Sequence, residues 1–330
     1  MKLAFFDTKS YDIPGFDRYA APAGIEIKYF EPNLDEDTVS LATGFDAVCV
    51  FVNDTVNANV VEKLYQMGVK AILLRCAGFN NVDIKACQGK LRVFRVPAYS
   101  PHAVAEHAMA LLLTINRRTH KAYIRTREFN FSLQGLAGFD LYGKTVGIIG
   151  TGKIGRVFAD ICKGFGMNVL AYDKFPAADS GLNYVELPEL FAKSDIISLH
   201  CPLTDETRHI INADSIAKMK KGVTIINTSR GGLINTEDLI TGIKDKKVGA
   251  ACLDVYEEEG DFFYEDYSGH VVQDDKLVRL IAMPNVIVSS HQAFLTQEAL
   301  DSIASTTVDN LKQFFAGTPN ASTEVRYTAQ

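Results

Sequence analysis

Short apolar runs alternate with segments of helical periodicity along the whole chain. In the first hundred residues, β-branched and aromatic runs bounded by turn residues predict strands at 3–6, 47–52, 71–74 and 93–96. The same pattern predicts later strands at 145–149, 168–172, 196–200, 223–227, 249–253 and 286–289. Strands that alternate with helices are typical of an α/β protein with parallel sheets.

The longest helical pattern begins after Ser100, a capping residue that precedes Pro101 at the first helical position. It extends from residue 103 to about residue 127 without Gly or Pro, and apolar residues cover much of its circumference. We expect one continuous helix, long enough to run between two domains. Shorter helices are predicted at 154–165, 214–220, 236–244 and 296–315. The residues after Pro319 are expected to form a polar tail.

Composition indicates a globular protein of about two domains. The 330 residues are 47% hydrophobic and 22% charged, with a mean hydropathy of +0.02. The net charge of −6 gives no electrostatic reason to bind nucleic acid or an anionic membrane. No apolar run reaches the roughly 18 residues that a membrane span needs, and Asp7 interrupts the N-terminus too early for a signal peptide.

The six cysteines are scattered and form no C-x-x-C motif. In a chain of this length they are expected to be buried thiols rather than disulfides or metal ligands. We therefore expect a cytoplasmic protein without a metal site.

A glycine-rich loop gives the first chemical signal. The run Gly150-Thr151-Gly152-Lys153-Ile154-Gly155 follows a predicted strand and opens a predicted helix. Its first glycine permits a tight turn, its second lets the backbone approach a pyrophosphate, and its third lets helix and strand pack closely. The helix N-terminus offers N–H groups to the phosphates.

Asp173 ends the next strand, about 20 residues after the last glycine, where a carboxylate binds the ribose 2′-hydroxyl. A carboxylate there repels a 2′-phosphate. The loop and Asp173 together predict a dinucleotide site that prefers NAD to NADP, with Lys174 weakening that preference slightly.

Polar residues follow the last three strands, at the edge where open α/β sheets bind ligands. Arg230, in the run NTSRGG, follows the strand at 223–227, and an arginine can grip a carboxylate bidentately and polarise an adjacent carbonyl. The acidic run DVYEEE at 254–259 follows the next strand. Any of its carboxylates could orient a histidine, although Glu257 and Glu258 are expected to form a solvated face.

His291, in the run SHQAF, follows the last short strand. Histidine exchanges protons near neutral pH and therefore suits acid–base catalysis. The other six histidines fit a structural role better, and only His200, which ends a strand near the cofactor face, competes weakly with His291.

The glycine loop begins at residue 150, so about 100 residues of α/β structure precede the cofactor domain. An inserted domain explains this order, because chain termini often lie together. We expect two Rossmann-like, doubly wound parallel-sheet domains, with the cofactor domain inserted into the substrate domain. Residues 1–100 and 298–330 would form the substrate (catalytic) domain, and residues 101–297 the NAD-binding domain.

The motifs GTGKIG, NTSRGG, DVYEEE and SHQAF occur in an order and spacing in which the chain resembles the D-isomer-specific 2-hydroxyacid dehydrogenases. The segments RCAGFNNVD at 75–83 and RVPAYSP at 95–101 also match, and the resemblance covers essentially the whole chain. The long connection from Glu259 to His291 is similar to that of the bacterial fermentative D-lactate branch. Gly260 stands where many members outside that branch have proline.

The resemblance implies a role for each matching residue. Arg230 would bind the substrate carboxylate and polarise the keto group, and Glu259 would pair with His291, the general acid and base. The implied substrate contacts are Tyr99, Phe294 and the backbone at Ala77 and Gly78. The implied cofactor contacts are Cys201, Pro202, Thr228 and Ser229, with Asp254 at the nicotinamide carboxamide.

The function implied is an NAD-dependent, reversible hydride transfer between NADH and pyruvate that gives D-lactate, with the substrate held between the domains. One alternative is a D-2-hydroxyacid dehydrogenase for another 2-keto acid, which the pocket volume near Tyr99 and Phe294 would decide. The other is a non-enzymatic NADH-sensing protein similar to transcriptional corepressors, and the long segment after Glu259 argues against it.

The family commonly forms dimers through the cofactor domain and sometimes tetramers. We expect a homo-oligomer, with the long helix after Pro101 as a candidate interface.

Overall fold

The structure of the protein is a computed structural model, which describes residues 1–327. Its strands are β1 (Lys2–Phe5), β2 (Glu26–Tyr29), β3 (Ala47–Val50), β4 (Ala71–Leu74), β5 (Arg92–Phe94), β6 (Thr145–Ile149), β7 (Asn168–Tyr172), β8 (Asn183–Tyr184), β9 (Ile196–Leu199), β10 (Val223–Asn227), β11 (Val248–Leu253), β12 (Val286–Val288) and β13 (Glu324–Val325). Every strand that the apolar runs predict is present, with ends that shift by at most two residues.

The α-helices are α1 (Ile13–Ala20), α2 (Ala58–Gln66), α3 (Ile84–Cys87), α4 (Pro101–Arg117), α5 (Thr119–Arg127), α6 (Lys153–Gly164), α7 (Leu187–Lys193), α8 (Ala213–Lys218), α9 (Thr236–Lys244), α10 (Asp275–Ala282) and α11 (Gln297–Phe315). Short 3-10 helices lie at Val39–Ala42, Gly231–Leu233 and Glu259–Asp261.

The chain folds into two compact units, each built on its own sheet. Met1–Ser100 and the segment from Leu295 onward form the first unit, and Pro101–Phe294 forms the second. The predicted fold class is confirmed, because the second unit is inserted into the first along the chain and parallel strands dominate both sheets.

The sheet of the first unit has the strand order β13-β5-β4-β3-β1-β2. Its first five strands in sequence pair in parallel, whereas β13 pairs antiparallel with β5 through Glu324 opposite Phe94. The expectation of a polar tail after Pro319 is therefore wrong, since part of that segment closes the edge of the sheet. Two residues are too short a run for an alternating pattern to show in the sequence.

The sheet of the second unit has the strand order β12-β11-β10-β9-β6-β7-β8, and all its strands pair in parallel. The order reverses between β6 and β9, which is where open α/β sheets form their ligand crevice. Neighbouring residues of β10 pack in different hydrophobic cores on the two faces of the sheet. Ile225 belongs to one core and Ile226 to the other. Both faces of this sheet are covered, which explains why its strands are continuous apolar runs.

The long helix predicted after Pro101 is broken in two. Arg118 adopts a left-handed conformation (φ 51°) between α4 and α5. Helix α4 buries Ala105, Leu112 and other apolar residues in the core that also contains Ile226. Helix α5 contains no buried residue within its bounds. No Gly or Pro marks the break, so it could not be predicted from the sequence.

All six cysteines are buried free thiols, as expected. Within residues 1–327, no helix combines the length and hydropathy that a bilayer crossing demands.

Candidate functional site

The glycine loop is a tight cradle between β6 and α6. Gly150 has φ +95°, and a Cβ added there would lie 2.4 Å from the backbone nitrogen of Cys201. A Cβ at Gly155 would lie 2.0 Å from the carbonyl oxygen of Gly150. A Cβ at Gly152, by contrast, would meet nothing within 4 Å. The first and third glycines are therefore required by packing, whereas the second faces open space.

The residues present fit a dinucleotide. Gly152 is the N-cap of α6 and has no side chain to bond the first amides of that helix, which stay available to phosphate oxygens. The hydroxyl of Thr228, at the end of β10, is buried and has no hydrogen-bond partner among residues 1–327. A buried hydroxyl without a partner is costly unless a ligand satisfies it.

Asp173 lies beside the glycine loop. Its Oδ2 accepts hydrogen bonds from the backbone nitrogen (2.6 Å) and hydroxyl (3.0 Å) of Thr151, and its Oδ1 accepts one from the backbone nitrogen of Phe175 (2.9 Å). Burial opposes ionisation, but these hydrogen bonds hold the pKa of Asp173 below its ordinary value. Lys174 pairs with Glu206 through contacts of 2.5 and 2.7 Å, so its charge is partly neutralised.

Arg230 stands at the end of β10 on a turn that Asn227 organises. The amide nitrogen of Asn227 donates to the carbonyl of Arg230 (2.8 Å), and its amide oxygen accepts from the backbone nitrogen of Ser229 (3.1 Å). Ser229 donates its hydroxyl to the carbonyl of Cys201 (2.7 Å), which links the ends of β9 and β10. Asn227 is fully buried. Sequence reasoning missed its role, although an asparagine at the end of a strand is a common turn former.

Glu259 and His291 form a direct pair. Oε1 of Glu259 lies 2.8 Å from Nδ1 of His291, and Oε2 accepts a hydrogen bond from the backbone nitrogen of Tyr256 (2.8 Å). The hydroxyl of Tyr264 donates to the carbonyl of His291 (3.3 Å). Both members of the pair are partly exposed, at 25% for Glu259 and 21% for His291. A histidine held by a carboxylate and open to solvent can exchange protons with a ligand.

The weaker competitor, His200, cannot serve as an acid near neutral pH. Burial lowers the pKa of His200 to about 3, so its imidazole is neutral under physiological conditions. Its Nε2 lies 2.8 Å from the hydroxyl of Ser198, and its ring contacts Phe158.

Asp254 is fully buried beneath the turn that carries His291. Its carboxylate accepts hydrogen bonds from the hydroxyl of Ser289 (2.6 Å) and the backbone nitrogens of Gln292 (3.0 Å) and Ala293 (2.8 Å). Burial opposes ionisation, but hydrogen bonds, above all from His107 and Ser289, hold the pKa of Asp254 below its ordinary value. Its contact with a nicotinamide carboxamide stays a prediction.

Glu257 is not part of a solvated face, contrary to expectation. Its Oε1 lies 2.5 Å from Nε2 of His209, and its Oε2 accepts a hydrogen bond from the hydroxyl of Thr236 (3.0 Å) at the start of α9. The sequence did not reveal this pair, because 48 positions separate the two residues.

The residues expected to contact the substrate from the first unit follow β4 and β5. Ala77 and Gly78 lie on the loop after β4, where the carbonyl of Ala77 accepts a hydrogen bond from the Arg95 guanidinium (2.8 Å). Tyr99 follows β5 and is half-buried. In the second unit, Phe294 is buried.

Comparisons with known proteins identify relatives that match almost the whole chain. The family model described as D-isomer specific 2-hydroxyacid dehydrogenase, NAD binding domain, matches residues 109–293. The chain is 53% identical to a 2-hydroxyacid dehydrogenase homolog of Haemophilus influenzae over 321 residues, which cover 96% of this chain and 97% of that protein. It is 52% identical to the D-lactate dehydrogenase of Escherichia coli, over 96% of this chain and 98% of that protein. The apo-structure of D-lactate dehydrogenase from Escherichia coli is similar with a TM-score of 0.91 and 49% identity, covering 98% of this chain and 100% of that one.

A doubly wound unit with a glycine cradle and a carboxylate–histidine pair defines an NAD-dependent oxidoreductase, as predicted. The chain belongs to the D-isomer specific 2-hydroxyacid dehydrogenase family. The predicted resemblance and the predicted NAD cofactor are thereby confirmed.

Proposed function

We propose that this protein is an NAD-dependent D-lactate dehydrogenase that interconverts pyruvate and D-lactate. The observation that carries the proposal is the Glu259–His291 pair, at 2.8 Å, on the same sheet edge as Arg230. Reduction of a 2-keto acid requires a cation for its carboxylate and a proton donor for its keto oxygen. The identity of 52% to a protein named D-lactate dehydrogenase supports pyruvate as the keto acid.

Arg230 would bind the carboxylate of pyruvate. Its guanidinium is partly exposed at the carboxyl end of β10, and Nη1 donates one hydrogen bond to the carbonyl of Ser229 (2.7 Å). The remaining N–H groups form a planar fork that suits a carboxylate and polarises the adjacent keto group.

His291 would transfer the proton. Because Nδ1 is engaged by Oε1 of Glu259, Nε2 is the ring atom left to exchange a proton with the substrate. In the reduction, the imidazolium donates a proton to the keto oxygen, and the neutral ring accepts it in the reverse reaction. Glu259 stabilises the imidazolium through its negative charge.

The cofactor site would combine the glycine cradle with the ends of β7, β9 and β10. Its proposed residues are Gly150, Gly152, Lys153, Ile154 and Gly155 at the pyrophosphate, Asp173 at the ribose, and Cys201, Pro202, Thr228, Ser229 and Asp254 along the cleft. When bound, NADH supplies the hydride and NAD accepts it.

Ala77, Gly78, Tyr99 and Phe294 are the residues proposed to contact the substrate. We accordingly propose that the first unit is the substrate (catalytic) domain and the second the NAD-binding domain. Loop residues that follow parallel strands are the usual carriers of such contacts.

We also propose a homo-oligomer, with an apolar surface on α5 and the loop after it as the interface. The exposed residues of this surface are Tyr123, Ile124, Phe129, Phe131, Leu133 and Tyr142. An exposed apolar surface of this kind marks an interaction site. The long helix predicted as the interface is split into α4, which buries its apolar residues within its own unit, and α5, which carries part of this exposed surface. The double variant Phe129→Ser/Phe131→Ser should elute as a smaller species in size exclusion with light scattering, whereas Phe175→Ser, equally exposed elsewhere, should not.

The compartment proposed is the cytoplasm. All six cysteines are buried and unbridged, which fits a reducing environment.

The test of the proposed activity is the pyruvate-dependent loss of NADH absorbance, followed by chiral analysis of the product. We expect rapid oxidation of NADH with D-lactate as product. Parallel assays with glyoxylate and with longer and branched 2-keto acids identify the substrate range. If one of those acids had a higher kcat/KM than pyruvate, that acid would be assigned as the substrate instead. Absence of turnover with pyruvate and with all of those acids would contradict the proposal.

A further inference from the structure

Helix α4 presents a histidine to the buried carboxylate beneath the turn of His291. Nε2 of His107 lies 3.3 Å from Oδ1 of Asp254 and 3.2 Å from the hydroxyl oxygen of Ser289. His107 is only 18% exposed and Asp254 is fully buried. From the sequence, His107 was expected to have only a structural role on the long helix.

The direction of these hydrogen bonds follows from the number of protons available. The Ser289 hydroxyl has a single proton, and its shortest contact is the 2.6 Å bond to Oδ1 of Asp254. Ser289 therefore donates to Asp254 and can only accept from His107. An ionised Asp254 also only accepts, so Nε2 of His107 must carry a proton and donate to both oxygens.

The turn that carries His291 depends on Asp254. Its carboxylate accepts the backbone N–H groups of Gln292 and Ala293, and its carbonyl accepts the N–H of His291 at 2.7 Å. His291 itself adopts φ +53°, a conformation that side chains other than glycine rarely take. The surrounding hydrogen bonds hold this strained backbone, and with it the orientation of the imidazole toward Glu259.

Helix α4 is a rigid support for the donor. Residues adjacent to His107, such as Ala108 and Met109, are buried in the same core as Cys252 of β11. The imidazole of His107 is thereby fixed relative to the strand that ends at Asp254.

We propose that His107 is a positioning residue for His291, acting through Asp254 and Ser289. Without its N–H donor, the buried carboxylate loses one of its hydrogen bonds and the 289–293 turn relaxes, so the imidazole of His291 departs from Glu259. For catalysis this role rests on the proposed function, whereas the effect on the Glu259–His291 hydrogen bond does not.

The test compares His107→Leu, which removes the donor, with His107→Gln, whose amide nitrogen can replace Nε2. The control is His102→Leu, an exposed histidine on the same helix. In pyruvate reduction we expect kcat to fall about tenfold or more in His107→Leu, because a hydrogen bond to a charged buried group is lost. The KM for pyruvate and the Kd for NADH should change less than about threefold, and His107→Gln should recover most of the lost kcat.

The second measurement needs no substrate or cofactor. In histidine-labelled protein, the downfield Nδ1–H resonance of His291 should be present in wild type, His102→Leu and His107→Gln and lost or broadened in His107→Leu. If wild type does not reduce pyruvate, the proposed function fails and this resonance still tests the inference. A His107→Leu protein with the wild-type resonance and kcat would overturn the inference, as would a His107→Gln protein impaired as severely as His107→Leu.

If His107→Leu does not fold, Ser289→Ala replaces it. That variant removes the bridging hydroxyl and should weaken the same resonance. Its retention at wild-type strength would count against the proposal.

Discussion

Glu259 Oε1 lies 2.8 Å from His291 Nδ1, although the two residues are 32 positions apart in the chain. They follow β11 and β12, which pair in parallel and so end at the same edge of the sheet. The contact is therefore a consequence of strand order, and it leaves Nε2 as the atom that can exchange a proton with a ligand.

The first prediction concerns this pair. His291→Ala should lower kcat for pyruvate reduction by about 100-fold to 10,000-fold, the usual contribution of a general acid, while NADH still binds. Glu259→Gln should lower kcat less, because an amide does not stabilise the imidazolium. Steady-state kinetics and NADH fluorescence titration measure both effects. Wild-type turnover in His291→Ala would remove His291 from the reaction.

The second prediction concerns Arg230. Arg230→Lys should lower kcat/KM for pyruvate by about 100-fold, because a point ammonium cannot reproduce the planar fork that binds a carboxylate and polarises its neighbour. Arg279→Lys is the control, since Arg279 lies exposed and 4.0 Å from Glu237. Normal affinity for pyruvate in Arg230→Lys would contradict the assignment.

The strand ends could be predicted from sequence because the strands are continuous apolar runs followed directly by polar residues. Arg230 and His291 are examples, each following a strand that the structure contains. Because the strands are parallel, the residues that follow them lie at the same edge of the sheet, and this can be predicted without knowing which side chains are in contact. The pairing of His291 with Glu259 rather than Glu257 could not be derived from spacing, and only the resemblance indicated it.

The supporting groups could not be predicted because they depend on packing between distant segments. His107 meets Ser289 across 182 positions, and His209 meets Glu257 across 48. The break at Arg118 also left no trace, since the residue has no special backbone preference. Periodicity describes which face of an element is buried, but it does not identify the polar groups that meet there.

The third prediction concerns the choice of cofactor. In Asp173→Ala, the kcat/KM with NADH divided by the kcat/KM with NADPH should fall by about tenfold or more. The reason is that the carboxylate that repels a 2′-phosphate is removed. The pairing of Lys174 with Glu206 limits any gain with NADPH. Asp179→Ala, which removes an exposed carboxylate from the same segment, is the control. An unchanged ratio in Asp173→Ala would exclude this role.

The last prediction concerns a buried ionic cluster in the first unit. Asp7, Asp12 and Asp54 surround Arg75, which is 2% exposed and lies between the rings of Phe5 and Phe51. Burial raises the pKa of Asp54 to about 7, and the charge of Arg75 and the hydrogen bonds from Leu34 and Phe51 only partly oppose it. Burial also raises the pKa of Asp12.

The sign of the resulting pH dependence follows from proton uptake. An unfolded aspartate has a pKa near 4, so between about pH 4 and pH 7 the folded protein binds the Asp54 proton and the unfolded chain does not. Stability must therefore fall as pH rises through this window, by up to about 1.4 kcal/mol per pH unit. Asp54→Asn should be less stable overall, because its amide accepts only one of the two backbone hydrogen bonds, but it should lose this slope.

Urea unfolding followed by circular dichroism at several pH values between 5 and 8 measures the slope. The difference between wild type and Asp54→Asn isolates Asp54 from the other titrating groups. Asp37→Asn, at an exposed carboxylate, should keep the wild-type slope. If Asp54→Asn and wild type showed parallel pH profiles, Asp54 would be ionised in the folded protein throughout this range. A raised pKa of Asp54 would then be excluded.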